Sequence, residues 1–473
     1  MKSCACVLPI CALALGLASI GQAVAERQLP WYQEVTMFHF PHFYVTDLAT
    51  DTFQSLIQNS TAEYVLVDFY APWCPHCQHF APEYERLALA VNRFENDIAA
   101  NAGARPRILC AEVDCVRSAG TCNRFGIHSF PTLLWGKKSD WLNGSVQEVH
   151  SGYETAEAAG DWINKRLNIR IDPSKISRQE VIRLRFPSSK EQSPSKPEKP
   201  AVARADVWDA QLATALLLRG AFAEHYFPPA RGAGPKETLL DFIALLAERF
   251  PEARQTAGTP CRNSLSALHR TLVANWSNLA MYVEGSESVG DGVKLFKLDP
   301  DELEESWRLC GSDWAHYRRG FGACRGTFPG KRGFTCGLWT LFHMLAARTD
   351  DVRASNDTNV VRAMISHFFD CTECREHFLK IEFRAEDAKD KRSAQLWWWN
   401  AHNLVNDRVG RLEKLYQDGD PLFPKMAWPT VGLCPDCRNP ASSASFLQAA
   451  RRPEAPIAWR PDRVMDFLDS FYG

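Results

Sequence analysis

A proline-rich stretch without large apolar side chains divides this 473-residue chain into two unlike parts. Residues 187–200, PSSKEQSPSKPEKP, include four prolines, a composition typical of linkers. Before this stretch, strand and helix patterns alternate, whereas after about residue 205 nearly every pattern is helical. A chain of this length is long enough for two or three domains, each with its own core. The sequence therefore predicts an α/β part followed by an all-α part.

The first part alternates apolar strand patterns with amphipathic helix patterns. Strands are predicted at 64–71, 107–115 and 132–136, and helices at 78–94 and 154–167. This order indicates an α/β domain.

The second part shows 3.6-residue periodicity with few β signatures, which favours helical bundles. Helices are predicted at 206–227, 236–250, 264–279, 336–348, 359–382 and 393–416. We expect a helical spacer over about 205–295 and a second bundle from there to the end.

The first 25 residues have the features of a secretory signal peptide. Lys2 precedes the apolar run CALALGLASI, and Ala23-Val24-Ala25 predicts cleavage before Glu26. A signal anchor is the alternative, but the apolar run is short. No later run approaches the ~20 residues that a membrane span needs. We expect a secretory-pathway (ER or Golgi lumen) or secreted protein, and the N-x-S/T sequons at Asn59, Asn143, Asn275 and Asn356 agree with that route.

The formal net charge of −2 gives no global attraction to nucleic acid or to an anionic membrane surface. No nucleic-acid partner is therefore expected.

Thirteen cysteines remain after the predicted leader is removed. Six lie in three C-x-x-C pairs, at 74/77, 371/374 and 434/437. Cys115 with Cys122, and Cys324 with Cys336, are close enough in sequence to form structural disulfides. Cys110 is expected to be a buried thiol, and a Cys261–Cys310 bridge is an open alternative. The odd total requires one free thiol or one intermolecular partner when the chain is fully oxidised.

The first C-x-x-C pair, in DFYAPWCPHC, stands where an apolar strand ends and a helix begins. Backbone amides at a helix N-terminus favour thiolate, so Cys74 is predicted to attack and Cys77 to resolve. His76 adds positive charge beside Cys74. A plain structural bridge or half a zinc site is the alternative.

The second pair, Cys371 and Cys374, is predicted to lie inside a helix, with His377 on the same side. Other helices offer aromatic or neutral polar groups at helical spacing: Trp339, His343, Trp399, His402, Asn403 and Asn406. Such groups around a dithiol indicate a flat, hydrogen-bonding heterocycle rather than a metal, which would need more ligands at ligand spacing. No metal site is predicted.

Two sets of motifs resemble known families. VDFYAPWCPHC and the FPT motif are similar to the thioredoxin fold of protein disulfide isomerases. RGFTCGLWTLFHML, FFDCTECREHF, WNAHNLVNDR and FPKMAW resemble the Erv-type sulfhydryl oxidase domain, a four-helix bundle that binds FAD. A secreted fusion of the two resembles the quiescin sulfhydryl oxidases, here in a form with a single thioredoxin domain.

The resemblance implies roles for particular residues. Pro131 would follow a cis peptide bond, and Asp68 would take the proton of the resolving cysteine. FAD would contact Arg332, Trp339, His343, Glu373, His377, Trp399, His402, Asn403, Asn406, Lys425 and Trp428. Glu373 stands where the family commonly has Asp.

The resemblance also implies the reaction. Two electrons would pass from reduced protein thiols, or from small dithiols, through Cys74/Cys77 and Cys371/Cys374 to FAD and then to O2, giving H2O2. The predicted domains are a signal peptide (1–25), a thioredoxin domain (26–170), a linker (171–204), a helical spacer (205–295) and an Erv-type domain (296–473). A degenerate Erv-like bundle is an open alternative for the spacer.

Competing functions are also open at this point. One is a disulfide isomerase of the secretory pathway without oxidase activity, and another is a zinc-stabilised structural protein. Cys434 and Cys437, in the proline-rich segment GLCPDC, would form a bridge or an accessory redox pair. Half a zinc site with Cys371 and Cys374 is the remaining alternative.

Overall fold

The computed structural model describes residues 44–99, 106–127, 129–149, 155–185, 204–221, 234–251, 261–274, 279–281, 296–298, 320–327, 331–369, 371–416, 419–420, 422–439 and 457–473. The predicted signal peptide and the proline-rich stretch 187–200 lie outside these residues.

A five-stranded sheet forms the centre of the first domain, in the order β1-β3-β2-β4-β5. Its strands are β1 (Thr46–Asp47), β2 (Tyr64–Tyr70), β3 (Ile108–Asp114), β4 (Thr132–Lys137) and β5 (Gln147–Val149). The central strand β2 runs parallel to β3 and antiparallel to β4. All of β2 except its two end residues is buried, which explains why YVLVDFY is a continuous apolar run rather than an alternating one.

Helices cover both faces of this sheet. They are α1 (Phe53–Asn59), α2 (Pro75–Ala99), α3 (Ala119–Arg124), α4 (Lys138–Asn143), α5 (Ala156–Leu167) and α6 (Arg178–Arg185), with a 3₁₀ turn at Pro173–Lys175. Phe80 and Leu87 of α2 pack with Ile163 of α5 in one core, whereas Phe53 of α1 packs with Trp141 of α4 in the other. The chain thus forms the predicted α/β domain.

The predicted linker begins too early. Ile171, Ile176 and Val181 are buried in the same core as α2 and α5. Because these apolar side chains have a surface to cover, residues 171–185 fold onto the α/β domain instead of leaving it.

The second half is mainly helical. It contains α7 (Val207–Ala221), α8 (Gly234–Arg249), α9 (Cys261–Ala274), α10 (Gly333–Ala346), α11 (Ala354–Phe368), α12 (Thr372–Leu379), α13 (Lys391–Tyr416) and α14 (Pro461–Tyr472), with 3₁₀ turns at Ala385–Ala388 and Pro435–Cys437. A short parallel pair, β6 (Leu279–Met281) with β7 (Phe296–Leu298), adds strand structure that the sequence did not indicate.

The helices of the predicted spacer share one hydrophobic core with those of the downstream bundle. Leu218 of α7, Phe242 of α8 and Leu268 of α9 belong to the same buried cluster as α10, α11, α13 and α14. Gly337 allows a close approach, since a Cβ there would lie 2.7 Å from both the Ala213 Cβ and the Asp209 carbonyl oxygen. The spacer and the bundle therefore pack as one unit across residue 295.

The helix predicted over 359–382 is two helices. Phe369 has extended backbone angles at the C-cap of α11, and Cys371 is the N-cap of α12. The Arg375 guanidinium donates to the Phe369 carbonyl at 2.8 Å, and this bond links α12 to the end of α11 across the break. The prediction that the second C-x-x-C lies inside a continuous helix was wrong.

The sequon asparagines Asn59, Asn143 and Asn356 are exposed, and Asn275 lies outside the described residues. Among the helices that the structure describes, none has the length and apolar character needed to cross a membrane.

Candidate active site

The first cysteine pair stands at the start of α2, directly after the turn that follows β2. The Cys74 amide donates to the Ala71 carbonyl at 3.0 Å, and Cys77 lies on the first turn of the helix. Both cysteines are free thiols, and both are buried. The chain therefore holds this pair at a helix N-terminus, as predicted from strand and helix patterns.

The two thiols differ in acidity. Burial works to raise the pKa of Cys74, but the hydrogen bond with Cys77 and the charge of His76 together lower it below its usual value. Burial, the bond with Cys74 and the negative charge of Asp68 raise the pKa of Cys77 well above its usual value. Thiolate therefore forms preferentially on Cys74, the sulfur expected to attack.

Pro131, which directly precedes β4, and Asp68, which lies on the neighbouring strand β2, are the two other residues predicted to act with this pair. The Phe130–Pro131 peptide bond is cis, and the Cys74 thiol lies 3.6 Å from the Phe130 carbonyl oxygen. Asp68 is buried on β2, the strand that leads to the pair. The cis bond before Pro131 is the one that the family resemblance implies, and the role of Asp68 in taking the proton of Cys77 stays a prediction.

The second cysteine pair forms a disulfide between Cys371 and Cys374. Cys371 is fully buried, whereas Cys374 is partly exposed and lines a cavity. The two sulfurs of this bridge therefore face different surroundings.

The two pairs meet where the α/β domain contacts the helical domain. Cys74, Cys77 and Cys371 belong to one small buried cluster, with Cys374 packed against it. The Trp73 ring contacts the rings of Phe334 and Phe369, with centroids 5.0 and 5.5 Å apart. A dithiol of one domain thus lies beside a disulfide of the other.

Two further contacts cross this interface. His76 Nδ1 lies 2.8 Å from the Glu373 Oε2 atom. The rings of His79 on α2 and Tyr416 at the end of α13 have centroids 3.5 Å apart.

A cavity of about 520 Å³ opens beside Cys374, within the size range of small-molecule and cofactor sites. Six residues predicted to contact the cofactor line it: Arg332, Trp339, His402, Asn406, Lys425 and Trp428. These residues come from α10 and its N-cap residue Arg332, from α13 and from the segment after α13, so the helical packing brings together groups that are far apart in the sequence.

Five other predicted cofactor residues do not line this cavity. His343 lies behind His402, with its Nε2 3.1 Å from His402 Nδ1. Trp399 Nε1 donates to the Trp428 carbonyl at 2.6 Å. The Asn403 side chain donates through Nδ2 to the same carbonyl and accepts at Oδ1 from the Trp428 backbone N–H. These three residues support the cavity wall from behind.

Glu373 and His377 have other contacts. Glu373 pairs with His76 across the interface, and His377 Nδ1 lies 2.7 Å from the Glu373 carbonyl oxygen.

His402 at the cavity wall and His343 behind it have lowered pKa values that favour the neutral imidazole. Burial lowers the pKa of His343 to about 3. Burial, followed by the influence of His343 and Lys425, lowers the pKa of His402 well below its usual value. Trp339 stacks on His402 at 4.3 Å with ring planes 7° apart. This wall is therefore flat, aromatic and uncharged.

Cations also line the cavity. Burial lowers the pKa values of Arg332, Lys425 and Arg408. The buried Nε of Arg408 has no hydrogen-bond partner among the described residues. These groups are suited to an anionic ligand. A flat uncharged wall beside such cations fits a flavin nucleotide, whose ring is planar and whose phosphates are negative.

Several cavity residues were not foreseen from the sequence. Pro75 reaches it from the α/β domain, Phe369 from the helix break, and Phe471 and Tyr472 from α14. Pro75, Phe369 and the further lining residue Arg408 do lie within the motifs VDFYAPWCPHC, FFDCTECREHF and WNAHNLVNDR, whereas Phe471 and Tyr472 had no sequence signal.

The other cysteines form bridges or remain buried. Disulfides join Cys115 to Cys122, Cys324 to Cys336 and Cys434 to Cys437. Cys110 is a buried free thiol whose pKa is raised by burial. Cys261 is disulfide-bonded, and Cys310 lies outside the described residues. Each C-x-x-C pair of the helical domain is closed on itself by a disulfide.

Comparisons with known proteins match the α/β part and the helical part of the chain to two different families. Residues 44–165 match the thioredoxin family model, and residues 336–429 match the model described as Erv1 / Alr family. Sulfhydryl oxidase 1 of Oryza sativa subsp. japonica is 30% identical over 443 residues, which cover 90% of this chain and 77% of that protein. Sulfhydryl oxidase 1 of Arabidopsis thaliana is 29% identical, with coverage of 90% and 73%.

Among solved structures, the sulfhydryl oxidase fragment of human QSOX1 matches 57% of this chain and 96% of that chain, at 24% identity and a TM-score of 0.39.

The thioredoxin and Erv1 / Alr matches follow one another in the order that the sequence motifs predicted, and the rice relative is similar over nearly the whole chain. The chain therefore belongs to the quiescin sulfhydryl oxidase family and is an enzyme that oxidises thiols to disulfides.

Proposed function

We propose that this enzyme forms disulfides in reduced proteins by an internal relay. Electrons pass from substrate thiols to Cys74 and Cys77, and then to Cys371 and Cys374, beside a cavity whose residues would hold FAD as the next electron acceptor. The observation that carries the proposal is the position of Cys374, which faces the cavity while its partner Cys371 is buried beside Cys74.

The first half of the relay is thiol–disulfide exchange with the substrate. With Cys74 and Cys77 as a disulfide, a substrate thiolate attacks Cys74, and a second substrate thiol resolves the mixed disulfide. The products are a substrate disulfide and the Cys74/Cys77 dithiol. The lowered pKa of Cys74 favours this direction, because it makes Cys74 the better leaving group.

The second half transfers the electron pair between the domains. Cys74 attacks Cys371, Cys374 leaves as a thiolate, and Cys77 then resolves the Cys74–Cys371 bond. The Cys74/Cys77 disulfide is thereby restored, and Cys374 carries negative charge at the cavity wall.

The cavity residues would hold the cofactor in two ways. Trp339 and His402 would pack against its planar ring, whereas Arg332, Lys425 and Arg408 would bind its phosphates. When bound, FAD supplies a two-electron acceptor that can pass the electrons to O2, giving H2O2.

The relay requires motion between the domains. Cys74 is fully buried in this arrangement, so a protein substrate can reach it only after the α/β domain separates from the helical domain. The segment 186–203 joins the two domains and would keep them close during this movement.

The remaining assignments follow from the same proposal. Exposed Asn59, Asn143 and Asn356 agree with glycosylation in the secretory pathway, where disulfides persist. Cys434 and Cys437 would form a structural bridge, because Cys437 is fully buried and its sulfur lies 3.4 Å from the Arg463 carbonyl oxygen at α14.

A Cys74→Ser variant tests the relay. Oxygen uptake with a reduced, unfolded protein should be lost, while slow oxidation of dithiothreitol, which can reduce Cys371/Cys374 directly, should remain. Full activity toward the reduced protein would refute the relay. A purified protein that is colourless and cannot take up FAD would refute the cofactor assignment.

A further inference from the structure

The third residues of the two active C-x-x-C motifs contact each other across the domain interface. His76 stands between Cys74 and Cys77, and Glu373 stands between Cys371 and Cys374. His76 Nδ1 and Glu373 Oε2 are 2.8 Å apart, and the His76 side chain is 18% exposed. The contact therefore forms only when the two cysteine pairs face each other.

His76 also lies close to the disulfide of the other domain. A ring nitrogen of His76 and the sulfurs of Cys371 and Cys374 all lie within 4.8 Å of one another. Its charge also acts on Cys74, whose pKa it helps to lower. One imidazole thus faces both the attacking sulfur and the disulfide that is attacked.

The surroundings of His76 favour its protonated form. Burial and the nearby Arg408 work to lower its pKa, whereas the bond to Glu373 and the charges of Cys74 and Glu373 raise it. The net effect is a raised pKa. Without the Glu373 carboxylate, the lowering of the His76 pKa by burial and by Arg408 would be less opposed.

We propose that Glu373 is a positioning residue that holds His76 as an imidazolium against both cysteine pairs, and that this imidazolium stabilises the thiolate expelled during transfer between the domains. The proposal rests on the relay described above. It assigns to Glu373 a role at the interface in place of the predicted cofactor contact.

The step balances without any external reagent. The Cys74 thiolate attacks the Cys371 sulfur, a Cys74–Cys371 bond forms, and the Cys371–Cys374 bond breaks with its electron pair on the Cys374 sulfur. The proton of His76 stays on the imidazole, held by Glu373, while its positive charge faces the new thiolate. A leaving thiolate that is better stabilised departs faster.

The pH dependence separates this role from simple docking. Transfer should weaken at low pH, where Cys74 is a thiol, and at high pH, where His76 loses its proton. Because the Glu373 carboxylate raises the pKa of His76, its removal should move the high-pH loss to lower pH. A contact that only held the domains together would lower the rate without moving this limit.

The test compares Glu373→Gln with Glu376→Gln in the purified holoenzyme. Glu376 lies on the same helix, is exposed, and its carboxylate makes no hydrogen bond or ion pair among the described residues. Turnover of reduced, unfolded ribonuclease is measured across the pH range. Glu373→Gln should be roughly tenfold slower above neutral pH, with its high-pH limit moved to lower pH, and Glu376→Gln should match the parent.

A double variant checks that Glu373 acts through His76. Once His76→Gln is present, the further change Glu373→Gln should have little effect. Equal losses from Glu373→Gln at every pH, or full additivity with His76→Gln, would overturn the proposal. If Cys74→Ser loses protein turnover as expected but Glu373→Gln behaves like the parent, the relay stands and this inference fails. If Cys74→Ser keeps protein turnover, the relay itself fails.

Discussion

The two active cysteine pairs occupy the same local position in two different domains. Cys74 directly precedes α2, and Cys371 is the N-cap of α12. In each pair the second cysteine lies on the first turn of its helix. The local backbone therefore does not distinguish the pair that meets substrate from the pair that meets the cofactor.

The surroundings distinguish them. Burial, the hydrogen bond with Cys74 and the charge of Asp68 raise the pKa of Cys77, whereas Cys374 lines a cavity with an aromatic wall and several cations. A helix N-terminus makes a cysteine reactive, but the groups beyond the helix decide where its electrons go.

The largest expected effect comes from replacing the second cysteine of each active pair and comparing the two variants. Cys374→Ser should abolish oxidation of both reduced proteins and dithiothreitol, because electrons enter the cavity through Cys374. Cys77→Ser should abolish protein oxidation and spare the reaction with dithiothreitol. Oxygen uptake with each substrate measures both effects.

Cys110→Ser serves as the control, since this free thiol is buried in the α/β core. Equal behaviour of Cys374→Ser and Cys77→Ser would remove the functional distinction between the two pairs.

The next effect concerns the contact between the domains. Trp73→Ala removes aromatic contacts with Phe334 and Phe369 that are worth about 2 kcal/mol together. The docked population, and with it turnover of reduced protein, should fall roughly thirtyfold. Turnover with dithiothreitol should stay close to that of the parent. A parallel loss with both substrates would show that Trp73 supports the helical domain itself.

A third prediction separates the stabilities of the two domains. Gly337→Ala places a methyl group 2.7 Å from Ala213 Cβ and should destabilise the helical domain by about 1–3 kcal/mol. Gly234→Ala, whose Cβ would meet nothing within 4 Å, is the matched control. Thermal unfolding should show a lower midpoint for the helical domain alone in Gly337→Ala, and an unchanged midpoint would contradict the close approach of α7 and α10.

The smallest effect is expected at the third C-x-x-C pair. Replacing Cys434 and Cys437 together with alanine should leave protein turnover near that of the parent and lower the free energy of unfolding by about 2 kcal/mol or less. Turnover and thermal unfolding of the double variant measure the two effects. A loss of turnover as large as that of Cys77→Ser would make this pair a redox relay.

The sequence predicted the two kinds of domain because periodicity and helix-start signals are local. It missed the helix break before Cys371, since the chain has neither proline nor glycine there, although Phe369 and Cys371 both have extended backbone angles. It also ended the α/β domain too early. Ile176 and Val181 were not recognised as core residues, because the apolar surface that they cover is formed by other parts of the chain.

The candidate site was predictable in part. Motif residues such as Trp339, His402 and Lys425 do line one cavity. The pairing of Glu373 with His76 joins residues 297 positions apart in different domains, and no local pattern indicates such a contact. The lining by Pro75 and Tyr472 depends in the same way on how the domains and the last helix pack.

The most direct test of the central claim is the reduction of bound flavin in a single turnover without oxygen. Reduced, unfolded ribonuclease is mixed anaerobically with the holoenzyme, and the visible absorbance of the flavin is followed. The account predicts rapid bleaching in the parent, none in Cys74→Ser with this substrate, and bleaching of that variant by dithiothreitol. Bleaching of Cys74→Ser by the reduced protein at the parent rate would contradict it.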